Sequence, residues 1–127
     1  MTNTTWITVC STCKREDWAE RGQPETDGEV FAADIAAAVV GLENVKTRTH
    51  PCLMGCSHGC NVAIQSEGKL NYTLGRFENL EGDAAGVVEY ARMHAESETG
   101  AVPFRQWPQA IKGHFVTRHP PLPDSEE

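Results

Sequence analysis

The chain has 127 residues, of which 39% are apolar and 23% charged, a composition typical of a single globular domain. Its formal net charge is -7, with acidic residues in both halves, so we expect no basic face that could neutralise nucleic acid phosphates or an anionic membrane surface. The longest strongly apolar stretch, from Val30 to Leu42, is interrupted by Asp34 and is too short to cross a bilayer.

The first predicted element is a strand over residues 5–10, where β-branched and aromatic residues lead to the first cysteine, Cys10. Residues 1–6 lack the basic segment and apolar core of a secretory signal, so we expect a cytoplasmic protein. Thiols stay reduced in the cytoplasm, and five clustered cysteines therefore favour metal binding or redox chemistry over disulfides. A polar loop from Cys13 to Gly28 follows.

The next two elements are a helix and a second strand. Apolar residues recur at helical spacing from Glu29 to Leu42, and Thr26 or Asp27 could cap the start of this helix. Apolar and polar residues then alternate from Asn44 to Thr49, which predicts a half-buried strand that leads to Cys52. Both predicted strands thus end at a cysteine.

A hairpin and a second helix complete the predicted fold. Residues 61–65 and 70–77 are of β type, and Gly68 between them supplies the conformation that a short turn needs. A helix is predicted from Gly82 to Glu98. The order β-α-β, hairpin, α predicts an α/β protein with a thioredoxin-like fold.

The chain divides, on this prediction, into a cluster-binding domain of residues 1–100 and a proline-rich C-terminal extension of residues 101–127. We expect the extension to be irregular and its end to be disordered, because prolines recur in it and its last residues are acidic. Its apolar residues, including Trp107, Ile111 and Phe115, offer enough surface to pack on the domain or on a partner.

The cysteines form the most specific pattern in the chain. Cys10 and Cys13 form a Cys-x2-Cys pair, in which a tight turn can point two thiolates at one metal. Cys52, Cys56 and Cys60 follow at intervals of four in a glycine-containing segment. Together the two motifs predict a thiolate cage.

Several chemistries compete for this cage. A structural zinc site would take four thiolates, or three with His50 or His58, but zinc ligands usually come in tight Cys-x2-Cys pairs. A [2Fe-2S] cluster takes four thiolates and is the interpretation we favour. The interpretation as a thiol-exchange site of the thioredoxin type is weaker, because no clear helix follows Cys13. Free cysteines are often buried as small apolar residues, but we do not expect this of all five.

The remaining residues predict no catalytic site. The chain has no Ser/His/Asp order, no phosphate-binding loop and no dinucleotide glycine motif, so we expect no enzyme and assign no catalytic residue. His94, His114 and His119 are far from the cysteines in sequence and receive no role.

Two known groups of proteins resemble this sequence. Val9-Cys10, together with Cys52-Leu53-Met54-Gly55-Cys56, resembles the thioredoxin-like [2Fe-2S] ferredoxins. More of the chain resembles a small bacterial family of predicted metal-binding proteins that is often associated with cobalamin-biosynthesis genes. That likeness lies in residues 9–14, 52–63 and 68–72.

The resemblance implies an electron carrier of ferredoxin type with a redox partner protein, and a role in cobalt or corrinoid reduction. It also implies that four of the five cysteines are the ligands. In the leading assignment Cys10, Cys13, Cys52 and Cys56 bind the cluster and Cys60 lies beside it. Cys13 and Cys60 depart from the ferredoxin pattern, so either of them could complete the cage. The alternative is a protein that holds zinc structurally or hands zinc or cobalt to a partner, and a homodimer is left open.

Overall fold

A computed structural model describes residues 4–11, 20, 22, 24–50, 61–66, 68–77 and 82–120. Over these residues it contains a five-stranded sheet and two α-helices. In chain order the elements are β1 (Thr5–Cys10), α1 (Asp27–Ala38), β2 (Val45–His50), β3 (Val62–Gln65), β4 (Asn71–Leu74), α2 (Asp83–Glu96) and β5 (Phe115–His119). Neither helix combines the length and the apolarity that crossing a membrane requires.

The sheet has the strand order β2-β1-β3-β4-β5. β1 and β2 are parallel and α1 connects them, whereas β3 is antiparallel to β1 and forms a hairpin with β4. Gly68 in the hairpin turn has a φ of 75°, a conformation that glycine adopts without strain. The topology confirms the predicted α/β thioredoxin-like arrangement of β-α-β, hairpin and helix.

Both helices pack on one face of the sheet. They contact each other and β1, and alternate residues of the strands, such as Ile7, Val9 and Ile64, are fully buried against them. Phe31 and Ile35 of α1 complete this core with Val87 and Ala91 of α2. The opposite face of the sheet carries the other half of each strand, and most of its side chains are partly or fully exposed.

The C-terminal segment corrects one expectation. Two 3-10 turns form at Phe104–Gln106 and Gln109–Ile111, and β5 pairs antiparallel with β4. The segment was predicted to be irregular, but the described part of it contains regular elements. Ile111 is fully buried, so of the two alternatives, packing on the domain or on a partner, the structure shows the first for this residue. The predicted disorder concerns the end of the chain, and residues 121–127 lie outside the described part. Sequence patterning missed the strand because it is an exposed edge strand without alternation.

Candidate metal centre

Three strand ends meet at one edge of the sheet. The parallel register pairs Cys10 with His50, so β1 and β2 end side by side. β3 begins at the same edge, because it runs antiparallel to β1. The backbone N–H of Cys10 donates to the carbonyl oxygen of Asn61 at 3.1 Å, and that of Ser11 donates to His50 at 2.9 Å. These bonds fix the three chain segments relative to one another.

The N-terminus of α1 lies against the same edge. Thr26 caps the helix by accepting a hydrogen bond from the N–H of Glu29, and its hydroxyl donates to the carbonyl oxygen of Ser11. At Gly28 an added Cβ would lie 1.9 Å from the carbonyl oxygen of Cys10, so this close approach requires glycine. The helix therefore places its partial positive charge beside the end of β1.

Among the predicted ligands, the structure describes Cys10. Its side chain is 1% exposed at the last position of β1, while His50 beside it is exposed. The other predicted ligands and the candidate His58 lie outside the described residues: Cys13, Cys52, Cys56 and Cys60. Within the described ranges, no three His, Cys, Asp or Glu side chains come together in a group that could hold a metal ion.

Chain connectivity nevertheless ties the cysteine-bearing segments to this edge. Cys60 directly precedes Asn61 in the sequence, and the carbonyl oxygen of Asn61 accepts the hydrogen bond from Cys10. Cys52 follows His50 by two positions in the sequence, and Cys13 follows Ser11 by two positions. The fold thus holds the anchors of both cysteine motifs at one place.

Comparison with protein families gives one match. A model of the family described as "Protein of unknown function (DUF1636)" matches residues 7–121. The chain belongs to this family. The DUF1636 match begins inside β1, includes all five cysteines and extends just past β5. No curated protein and no solved structure matches the chain.

A buried histidine, which the sequence analysis left without a role, lies at the opposite end of β1. His94 of α2 is fully buried, and its Nε2 lies 2.6 Å from the carbonyl oxygen of Leu70, to which it must donate. Its Nδ1 lies 2.8 Å from the hydroxyl of Thr5, which donates to it when the ring is neutral. Burial lowers the pKa of His94, the bond to Leu70 opposes this, and the charge of Lys69 lowers it further.

Lys69 completes this polar cluster. Its ammonium group donates to the carbonyl oxygens of His94 at 3.1 Å and Ala95 at 2.6 Å, and so caps the C-terminus of α2. Burial lowers the pKa of Lys69. This polar cluster and Cys10 lie at opposite ends of β1, about five residues and about 16 Å apart. The hydrogen bonds named here connect the hairpin turn, β1 and α2 to one another. The polar cluster therefore has a structural role and is not part of the edge where Cys10 lies.

Proposed function

We propose that the chain is a ferredoxin-like electron carrier that binds a [2Fe-2S] cluster through the thiolates of four of its five cysteines. The observation that supports the proposal is the meeting of the ends of β1 and β2 with the start of β3 at one edge. The first cysteine motif begins at Cys10 of that edge, and the second lies in the sequence between His50 and Asn61 of that edge. When bound, such a cluster supplies one-electron transfer.

The described residues fit such a group in three respects. Cys10 offers a buried thiol at the end of β1, where the backbone N–H groups donate hydrogen bonds to both neighbouring segments. The N-terminus of α1 stabilises negative charge there, and thiolate clusters are anionic. Thr26 and Gly28 keep that helix in contact with the strand end. The chain's own part is to hold thiolates, exclude water and fix the edge.

The recipient of the electron is proposed from resemblance. The likeness to metal-binding proteins associated with cobalamin-biosynthesis genes supports a cytoplasmic enzyme that reduces cobalt or a corrinoid. An electron carrier needs no acid or base of its own, only burial of its cluster and a surface for docking.

Visible spectroscopy tests the proposal. The chain purified without oxygen should be brown, and dithionite should bleach its visible absorption, because cluster thiolate bands weaken on reduction. Cys10→Ser should lower the visible absorption per chain by most of its value, whereas a serine at an exposed alanine of α1, Ala36→Ser, should leave it unchanged. A colourless wild-type chain would refute the proposal.

One observation favours a second candidate, a zinc- or cobalt-binding protein without redox activity. His50 is the register partner of Cys10, so an imidazole stands at the same edge as the thiol. Three thiolates and one imidazole form an ordinary tetrahedral zinc site. His50→Ala tests the zinc site that includes this imidazole, since it should reduce bound zinc in a site of three cysteines and His50 and leave a cluster held by four cysteines intact.

A further inference from the structure

On the sheet face opposite the helices, the strands carry positively charged side chains and no negatively charged ones. Lys46 and Arg48 of β2 are exposed on this face, next to Trp6 of β1, whose side chain is 37% exposed. Register places no aspartate or glutamate on this face in any of the five strands. The chain as a whole has a net charge of -7, yet the strand residues of this face carry cations and no carboxylates, which for the described strands corrects the expectation that no face is basic. Net charge along the sequence cannot show such segregation, which depends on strand register.

The cations on this face are held in place. The Nε of Arg48 donates to the hydroxyl of Thr8 at 2.8 Å, and its Nη2 reaches Gln65 at 3.4 Å. The guanidinium carbon of Arg48 lies 5.7 Å from the centre of the Trp6 ring, and the Nζ of Lys46 lies 5.9 Å from it. Both distances are within the range of cation–π attraction. An arginine and a tryptophan that are already ordered lose little entropy on binding a partner.

The patch adjoins the cysteine edge. Thr8 pairs with Arg48, and the next pair on the same face is Cys10 with His50. Two residues along a strand cover about 6.6 Å. A molecule bound over Trp6, Lys46 and Arg48 would therefore lie beside the end of β1 where the candidate metal centre is anchored.

We propose that the patch formed by Trp6, Lys46 and Arg48 docks an acidic surface of a partner protein. That this partner exchanges electrons with the chain rests on the proposed function. The two cations complement a compact acidic patch, with Trp6 as the apolar contact between them. A nucleic acid would instead continue its phosphate charge past the patch, onto a chain whose net charge repels it.

A dye-labelled triglutamate peptide, which extends over about 10 Å and so matches the size of the patch, is the probe. Fluorescence anisotropy at low ionic strength measures its binding to the whole chain. Lys46→Glu should weaken binding about tenfold, and added salt should weaken it further. Arg105→Glu makes the same charge change at an exposed site outside the sheet, and should change the dissociation constant less than about twofold. Lys46→Gln, which removes the charge without reversing it, should give an intermediate value.

Two results would overturn the docking surface. One is equal weakening by Lys46→Glu and Arg105→Glu, which would mean unspecific charge attraction. The other is that a thymidine trinucleotide binds more tightly than the peptide and that Lys46→Glu abolishes its binding, which would assign the patch to nucleic acid.

The peptide needs no cluster, so the two proposals fail separately. If a wild-type chain that contains no iron binds the peptide, the docking surface is supported and the proposal that its partner exchanges electrons with the chain is refuted. A chain that carries the cluster but binds no peptide would keep the electron carrier and overturn the docking surface.

Discussion

The backbone N–H of Cys10 donates to the carbonyl oxygen of Asn61 at 3.1 Å. This single bond joins the end of β1, which starts the first cysteine motif, to the residue that directly follows Cys60. Ser11 makes the equivalent bond to His50, the last residue of β2. The two bonds mean that the cysteine motifs, which are about forty residues apart in sequence, leave the sheet as neighbours.

Gly28→Ala should disturb this edge. Alanine normally stabilises a helix relative to glycine, but here its Cβ would meet the carbonyl oxygen of Cys10 at 1.9 Å. We expect the unfolding free energy measured in urea to fall by about 1–3 kcal/mol, with less iron bound per chain. Gly41→Ala is the control, since it meets no atom within 4 Å and should leave iron binding unchanged despite its φ of 93°. A more stable Gly28→Ala chain would contradict the packing of α1 on β1.

Ile111→Ala should show that the C-terminal segment belongs to the core. Ile111 is fully buried, so removing its side-chain carbons leaves a cavity and should cost about 2–5 kcal/mol of unfolding free energy. Val116→Ala is the matched control on β5, because Val116 is 38% exposed, and should cost less than about 0.5 kcal/mol. Similar costs for the two variants in urea denaturation would speak against the burial of the 3-10 turn.

The neutral state of His94 makes stability depend on pH. Its pKa lies below the ordinary 6.5 in the folded chain, so just below pH 6.5 the unfolded chain binds more protons. The stability from neutral His94 is present in full above that pH and falls as the pH drops, by at most about 1.4 kcal/mol per pH unit. Urea denaturation at about pH 7 and about pH 5 measures this loss.

Two variants test whether His94 causes this loss of stability at low pH. His94→Gln keeps one donor for Leu70 and one acceptor for Thr5, and should remove most of this loss. His119→Gln, at an exposed histidine, should retain it. An unchanged pH dependence in His94→Gln would assign the loss to other groups.

Cys13→Ser and Cys60→Ser decide which thiol completes the cage. In the leading assignment Cys13 is a ligand and Cys60 lies beside the cluster, so only Cys13→Ser should lose most of the iron and the visible absorption. Each variant is scored for iron per chain, with Cys10→Ser as the reference for loss of a ligand. Full retention in Cys13→Ser with loss in Cys60→Ser would reverse the assignment.

Much of the fold could be predicted because its signals are local. The strand at residues 5–10, the capping residue Thr26 and the turn glycine Gly68 each carry a short-range preference that the structure confirms. β5 was missed because its pairing with β4 is long-range and its own residues show no alternation. Its position depends on buried anchors such as Ile111, which precede it in a proline-rich segment.

The functional features divide in the same way. Cysteine spacing marked both motifs, and the position of Cys10 at a strand end followed from the strand predicted over residues 5–10. The second strand was predicted to end at Thr49, whereas β2 extends to His50. The patch around Trp6 and Arg48 was missed, because the two residues are forty-two positions apart and meet only through strand register. His94 was missed because its helical spacing marks it only as part of the buried face of α2.

Quantifying metal and sulfide tests the central claim most directly. The chain should be purified without oxygen and assayed for iron, acid-labile sulfide and zinc per polypeptide. A [2Fe-2S] carrier should contain about two iron atoms and about two sulfides per chain and little zinc. About one zinc per chain, with neither iron nor sulfide, would contradict the account and establish the second candidate.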